Sequence, residues 1–190
     1  MKYSLSYTSE ITAANIISTA DLKTFLRVDH SEEDTLIEAL RLAAVQYVEN
    51  YCNVKCGSVS AVMYLDKFPV QWEVPVGPVT AVGSITYNIG SATTTTLSTD
   101  NYFVDLNRKP ARISVINVPD VYDYVFNGVQ INLTIGYAEA NLPEAMIHAV
   151  RLLVGHYYEQ RQESISGTII TNIPSGIHAL LNPYRIISDR

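Results

Sequence analysis

Residues 31–52 read SEEDTLIEALRLAAVQYVENYC, and their apolar side chains recur at the spacing of one helix face. This pattern predicts a helix over residues 32–52. Ser31 stands where a capping residue is favoured, with Asp34 three residues later as an imperfect capping box. The predicted apolar stripe consists of Leu36, Leu40, Ala43, Ala44, Tyr47, Val48 and Tyr51. Such a stripe needs other segments to cover it, so this helix decides the fold.

A shorter helix is predicted just before it, in the sequence DLKTFLRV at residues 21–28. Leu22, Phe25 and Leu26 fall on one face at the i, i+3, i+4 spacing. The break between the two helices comes at Asp29-His30. Residues 1–57 are therefore predicted to form an N-terminal helical hairpin.

After residue 58 the apolar period changes from helical to alternating. Five stretches are rich in Val, Ile, Tyr and Thr and are separated by turn residues, which is typical of strands. They are SVSAVMYLDKF (58–68), VTAVGSITYN (79–88), NYFVDL (101–106), ARISVIN (111–117) and GVQINLTIGY (128–137). About five strands in residues 58–137 predict a small antiparallel sheet or open barrel.

A helical pattern returns near the C-terminus. Residues 138–163 contain a predicted long helix, in which Pro143 lies near the first turn and Glu144 suits the helix dipole. Residues 164–190 are assigned to a flexible loop, ESISGTIIT, and a tail. The predicted fold class is α+β, with a helical core from both chain ends and an inserted small antiparallel β-sheet domain.

Composition narrows the classes of function. The 190 residues carry a net charge of −6, which is a poor basis for gripping duplex DNA. No apolar run is long enough to span a membrane, and the start MKYSLSYTSE lacks a signal-peptide core. The sequence therefore favours a protein made in a cytoplasm, without tight DNA or membrane binding.

The sequence offers no chemistry-bearing motif. Cys52 and Cys56 form a lone C-x-x-x-C, which is more typical of two reduced thiols than of zinc. His148 and His156 lie eight residues apart, too far to share one metal. A G-x-S-x-G motif and a phosphate loop are both absent. We therefore expect no enzyme activity, no cofactor and no metal.

Tyrosine and arginine instead indicate contact surfaces. Thirteen tyrosines stand against four phenylalanines and one tryptophan, and tyrosine can bury its ring while its hydroxyl stays wet. Arginine with tyrosine is a frequent anchor pairing of interfaces. The candidates for a subunit interface on the long helix are Arg151, Tyr157, Tyr158 and Arg161. Ordinary helix packing is the alternative for the two tyrosines.

Three blocks of the chain, spanning residues 19–187, resemble bacteriophage head–tail connector (adaptor) proteins. The first is LKTFLRVDHSEEDTLIEALRLAAVQYVENYC, with its D-x-x-L-x-x-L-x-x-A-A-x-x-Y-V-E rhythm. The second comprises VTAVGSITYN, DNYFVD and ARI. The third is INLTIGYAEANLPEAMIHAVRLLVGHYYEQRQ, followed by IPSGIHALLNPYRI. The order and spacing of these blocks carry the resemblance.

The resemblance implies structural work in a virion. Such proteins form a ring, usually of twelve copies, below the portal protein, where the ring extends the DNA channel. The ring joins the head to the next connector layer, a head-closure protein or the tail. DNA would pass through without tight binding. The expected location is the head–tail joint, with the host cytoplasm as the place of assembly.

The resemblance also gives a role to the C-terminal tail, which would dock against the portal or a neighbouring copy. The residues expected to make this contact are Ile173, Pro174, Gly176, Ile177, Leu180, Leu181, Pro183, Tyr184 and Arg185. The alternative is that the tail folds back onto its own helical core.

Two other functions remain open at this point. One is a small-molecule or peptide-binding module that uses the β domain, which a large apolar pocket lined by tyrosines would favour. The other is an enzyme assembled from dispersed residues, which a convergent set of histidines and carboxylates with shifted pKa values would favour.

Overall fold

The computed structural model describes residues 3–9, 15–123, 125–160 and 175–187. Its regular elements are β1 (Ser4–Tyr7), α1 (Thr19–Leu26), α2 (Asp34–Cys52), β2 (Val59–Leu65), β3 (Gln71–Glu73), β4 (Val79–Asn88), β5 (Thr94–Thr96), β6 (Tyr102–Asp105), β7 (Arg112–Val115), β8 (Val129–Ile135), α3 (Glu144–Glu159) and α4 (Ser175–Leu181). Within these ranges, no helix combines the length and apolar character that crossing a bilayer requires.

The chain divides into two compact units. The β unit comprises Met1–Ile11, Ser58–Tyr137 and Ile186–Arg190, and the helical unit comprises Thr12–Gly57 and Ala138–Arg185. Each unit is assembled from separate pieces of sequence, so long-range packing and not local order defines both.

The larger sheet of the β unit has the strand order β1-β2-β8-β4-β5, with every neighbouring pair antiparallel. Its two central partners, β2 and β8, alternate buried and more exposed side chains, because successive residues of a strand point to opposite faces. Met63 lies opposite Ile131, and both are fully buried. The pairing of β4 with β8 shifts register twice, between Val79 and Ala81 and between Val82 and Ile85.

A second, three-stranded sheet has the order β3-β7-β6 and is also antiparallel. Trp72 and Val104 each lie opposite Ile113, so this row of side chains crosses all three strands. Trp72 and Ile113 are buried, and Val104 packs against the same core. The inner face of the small sheet therefore belongs to the core of the β unit.

The helical unit begins at a capped helix. The Ser18 side chain accepts a hydrogen bond from the Asp21 backbone N–H at 3.0 Å, and Arg27 ends α1 in the left-handed conformation. Asn53 ends α2 in the same way. The fully buried side chains of this unit include Leu22 of α1, Ile37 and Val48 of α2, and Leu153 of α3.

The structure confirms the α+β class and all five predicted strands, and it corrects several details. The β region contains two sheets instead of one, and three strands of three or four residues were missed. One of them, Ser4–Tyr7, pairs with β2 in a segment assigned to the helical hairpin. Glu33, and not Ser31, precedes the first turn of α2.

Candidate interaction surface

The tail helix α4 packs against α2 and α3 inside the helical unit. Ile177 and Leu181, one helical turn apart, are fully buried there. Residues 175–185 of the tail therefore fold back onto the helical core, as in the alternative interpretation of the sequence, whereas Ile186 belongs to the β unit. Burial of two aliphatic side chains, at roughly 1.5–3 kcal/mol each, is enough to hold a short helix in place.

An aromatic stack joins α4 to α2. The rings of Tyr51 and His178 are stacked with centroids 4.9 Å apart, and those of Tyr47 and Tyr51 are stacked at 6.1 Å. The Tyr47 hydroxyl and His178 Nε2 form a hydrogen bond of 2.8 Å. Such a stack adds orientation to the apolar burial, because offset rings and a directional hydrogen bond fix one geometry.

Two further contacts fix the turn that follows α4. The Tyr51 hydroxyl donates to Asn182 Oδ1 at 2.7 Å, and the Arg185 guanidinium lies 5.1 Å from the centre of the Tyr51 ring. Tyr51 thus contacts the tail at His178, Asn182 and Arg185. A cation over an aromatic ring is attracted by its π electrons, so Arg185 has an intramolecular partner.

The two thiols, Cys52 and Cys56, lie at the C-terminal end of α2 and just after it, and both are free and buried. The Cys52 thiol is directed at the Leu181 carbonyl oxygen, with 3.7 Å between sulfur and oxygen. Burial raises the pKa of Cys52 to about 11, and burial together with the Glu49 carboxylate raises the pKa of Cys56. Thiols held protonated are poor metal ligands and poor nucleophiles. In the described residues, no group of three or more metal-ligating side chains could hold an ion.

The tail residues proposed for docking divide into an inward and an outward set. Ile177 and Leu181 face the core, Leu180 and Tyr184 are half-buried, and Gly176, Pro183 and Arg185 are exposed. A Cβ at Gly176 would meet no atom of the described residues within 4 Å, so none of them covers this side of the tail. Ile173, Pro174 and the loop ESISGTIIT lie outside the described residues.

A shallow groove runs between α2 and α3. It has a volume of about 480 Å³ and is lined by Leu36, Leu40, Ala43, Tyr157 and Gln160. Four of these five side chains are apolar or aromatic. Burial of its side chain raises the pKa of Tyr157, and the neighbouring Tyr47 raises it further. The Tyr157 hydroxyl therefore stays neutral at physiological pH.

Of the other ring candidates, the two that the structure describes do not line this groove. Arg151 and Tyr158 of α3 are half-buried. The Tyr158 hydroxyl donates a hydrogen bond to the Glu33 carboxylate, which ties α3 to the start of α2. Arg161 lies outside the described residues. The structure thus gives Tyr158 an intramolecular role and leaves Tyr157 at the groove wall.

Sequence reasoning did not assign the tail-holding role of Tyr47, Tyr51, His178 and Asn182. Two of them were part of the predicted α2 stripe, and their i, i+4 spacing was a usable signal for adjacent rings. The partners on α4 were not accessible from sequence, because Tyr47 and His178 are 131 residues apart.

The β unit has a surface groove of about 240 Å³ on the outer face of its small sheet. Gln71, Phe103, Val104, Asp105, Arg112 and Ser114 line it, and none of them is tyrosine. Arg112 donates to Asp105 at 2.7 Å, and this bond holds the pKa of the Asp105 carboxyl below its usual range. This groove is polar, and its Arg112 and Asp105 charges pair with each other. It therefore differs from the large apolar pocket lined by tyrosines that would favour a small-molecule-binding function.

These features describe an α+β protein with two surface grooves, and comparison with known proteins identifies its family. A sequence model of the head completion protein family matches residues 15–187. The chain therefore belongs to the head completion protein family. A search of curated protein sequences finds no match.

Three solved structures have a similar fold. One is the neck of an empty GTA particle computed with C6 symmetry, and one is the virion of a native gene transfer agent (GTA) particle. Each has 20% identity, covers 98% of this chain and 97% of the other, and gives a TM-score of 0.78. The neck of a native GTA particle computed with C12 symmetry gives 19% identity, the same coverage and a TM-score of 0.76.

Membership in this family confirms the prediction, made from the sequence resemblance, that the chain is a connector-type virion protein. A structural role in head completion, at the junction of head and tail, follows for the family to which the chain belongs. At 19–20% identity the solved structures establish the shared fold.

Proposed function

We propose that this protein is a head–tail connector that assembles as a ring below the portal, extends the DNA channel and links the head to the next connector layer or the tail. The observation that carries this proposal is the family match over residues 15–187. The similar fold of chains from gene transfer agent necks and virions supports it. The protein would act without catalysis, through its surfaces alone.

The ring would be built by copies packing through their helical units, in which pieces from both chain ends form the core. The groove between α2 and α3 supports this arrangement, because its lining is mostly apolar and partly exposed. Covering it with a neighbouring copy would lower the free energy of the assembly. Tyr157 at the groove wall and Arg151 on α3 are the proposed contacts. A ring of twelve copies agrees with the C12 symmetry used for one similar neck. The C6 symmetry used for the other similar neck is also compatible with it, because twelve is divisible by six.

The tail would contact the portal or a neighbouring copy through its outward side. Gly176, Pro183 and Arg185 are exposed there, while Ile177 and Leu181 keep the tail on its own unit. In this proposal the inward residues fix the shape of the surface and the outward residues meet the partner. The predicted contact is therefore narrowed to one side of α4 and the turn after it.

The net charge suits a channel that DNA must cross. Twelve copies at −6 would carry on the order of −70 before counterions, a field that repels the DNA backbone. We expect that the isolated protein does not retard duplex DNA in a gel at near-physiological salt. Retardation at micromolar protein in that buffer would contradict a non-binding channel.

Electron microscopy of a virus with an early stop codon in this gene tests the proposal as a whole. Filled heads lying apart from finished tails are expected, since the joint would be missing. A plasmid copy of the intact gene should restore joined particles and serves as the control. Normal virions from the stop-codon virus would refute the connector role.

The docking side of the tail is tested in the same complementation system. Arg185→Glu reverses an exposed charge, whereas Asp29→Lys makes the opposite charge reversal in the exposed loop between α1 and α2. We expect Arg185→Glu to reduce the yield of joined particles at least tenfold and Asp29→Lys to leave it unchanged. Equal yields for both variants would argue against the outward side of the tail as the contact.

A further inference from the structure

One end of the larger sheet in the β unit presents exposed apolar side chains. Strand β2 ends at Leu65 and strand β8 begins at Val129, and these two residues lie opposite each other. Val129 also lies opposite Tyr87, near the end of β4. The residues just beyond these positions therefore share one end of the sheet.

Three apolar side chains stand exposed at this end, and we call them the end patch: Ile89, Tyr122 and Phe126. Phe126 is 90% exposed, the highest fraction among the large hydrophobic side chains of the described residues. The Tyr122 backbone N–H donates to the Asn88 carbonyl at 2.9 Å, which sets Tyr122 beside Ile89. A single exposed phenylalanine would need no explanation, but three exposed apolar side chains at one end of a sheet are a candidate contact surface.

The backbone around the end patch is held in place. The Asn127 N–H donates to Asp66 Oδ1 at 3.0 Å, and Lys67 Nζ lies 2.6 Å from Asp123 Oδ1. Asn127 adopts φ 57°, a left-handed conformation that asparagine tolerates. A Cβ at Gly128 would come within 2.6 Å of Val121, so the chain packs closely there. The backbone at Asn127 and Gly128, directly after Phe126, is thus held by contacts, and binding would cost little ordering of the backbone there.

The charge around the end patch has one predominant sign. Among the described residues named at this end, Asp66, Asp120 and Asp123 are acidic, and Lys67, which pairs with Asp123, is the basic one. An acidic surround opposes an anionic lipid surface and the DNA backbone. It also opposes the same patch of a second copy, because like charges would then face each other. The apolar character of the end patch and its acidic surround together favour a partner whose apolar socket is bordered by lysine or arginine.

We propose that the end patch docks onto a different protein of the particle, whose apolar socket, bordered by lysine or arginine side chains, receives Phe126. This inference rests on the proposed function in one respect, because it takes the partner to be another virion protein. It assigns the β unit an interaction surface separate from the groove and tail of the helical unit. Aromatic side chains in a desolvated socket commonly dominate binding energy.

Photo-crosslinking in assembling particles tests this assignment. The photoreactive residue benzoylphenylalanine replaces Phe126 in the full chain, supplied to cells that are infected with the stop-codon virus. Purified particles are illuminated, and the crosslinked peptide is sequenced by mass spectrometry. We expect a crosslink to one other virion protein, at a peptide containing lysine or arginine.

A charge substitution in the same chain tests the basic border of the socket. Asp120→Lys should reduce the crosslink yield at least fivefold. Asp29→Lys, which makes the same charge change in the helical unit, should leave the yield unchanged. A crosslink that is insensitive to Asp120→Lys would overturn the proposed complementarity.

A probe at position 157, in the groove of the helical unit, separates this inference from the ring. That probe should crosslink the chain to a second copy of itself. If it does so while the position 126 probe yields only self-crosslinks, lipid adducts or no product, the end patch proposal is overturned and the ring is retained. Loss of the self-crosslink at 157, with the expected product at 126, would count against the ring alone.

Discussion

The tail helix and the end patch both carry apolar side chains, and they differ in what covers these side chains. In the tail, Leu181 is fully buried in the helical unit and its neighbours bond to Tyr47 and Tyr51. In the end patch, Phe126 is exposed on a loop that is fixed from below by Asp66. An apolar stretch in a sequence therefore predicts a contact, but the contact can lie within the chain or with another one.

The largest effect is expected at the buried end of this comparison. Leu181→Ala should lower the free energy of unfolding by about 2–5 kcal/mol, since a fully buried leucine leaves a cavity. Leu42→Ala, at a 50% exposed position of α2, is the matched control and should cost about 1 kcal/mol or less. Urea unfolding of both variants followed by circular dichroism measures the difference. Equal costs would mean that the tail does not pack in solution as described.

A smaller effect is expected at the polar fastening of the tail. Tyr51→Phe keeps the ring on His178 but removes the 2.7 Å hydrogen bond to Asn182, so it should cost about 0.5–1.5 kcal/mol. Asn182→Ala removes the same bond from the other side. A double-mutant cycle of the two substitutions should show a coupling energy near 1 kcal/mol. Additive costs would break the assigned contact.

The Cys52 thiol, which contacts the Leu181 carbonyl of the tail, makes the free energy of unfolding depend on pH in the alkaline range. The pKa of Cys52 is raised to about 11 in the folded chain, whereas an unfolded thiol ionises near 9. Between these values the unfolded state releases more protons, so stability is full below pH 9 and falls as the pH rises towards 11. Cys52→Ala should flatten this fall without abolishing it, because the pKa of Cys56 is raised too. Tm measured from pH 8 to 10.5 tests this, and identical slopes would contradict it.

The smallest effect on folding is expected at the end patch. Phe126→Ala should change the free energy of unfolding by less than about 0.5 kcal/mol, because the side chain is 90% exposed and little burial is lost. Urea unfolding alongside Leu181→Ala would set the two regions on one scale. A cost above about 1.5 kcal/mol would show that Phe126 is covered within the chain, and the comparison would collapse.

The elements with a clear period were predictable from sequence. The strand predicted at residues 79–88 matches β4 in both bounds, because residues rich in Val, Ile, Tyr and Thr lie between turn signals. Strands β1, β3 and β5 were missed because three or four residues hold at most two alternations. Their strand geometry comes from pairing with β2, β7 and β4, which only the fold supplies.

The interaction surfaces divide in the same way. The apolar character of Ile177 and Leu181 was visible in the sequence, but the helices that α4 packs against, α2 and α3, needed the tertiary structure. The Tyr47–His178 bond, for example, joins residues 131 positions apart. Phe126 gave no signal of its own, since one phenylalanine between tyrosine, valine and asparagine could equally fill a core. The tail-docking and ring-interface residues taken from the family resemblance stay predictions.

The segmental make-up of the two units also has a consequence for the order of events during synthesis. The chain passes between units after residues 11, 57, 137 and 185, so α4 is synthesised well after α2, the helix that it contacts. Until residues 178–182 have been synthesised, the helical unit lacks the contacts of Tyr47 with His178 and of Tyr51 with Asn182. The folding of this unit therefore depends on segments that are synthesised far apart in time.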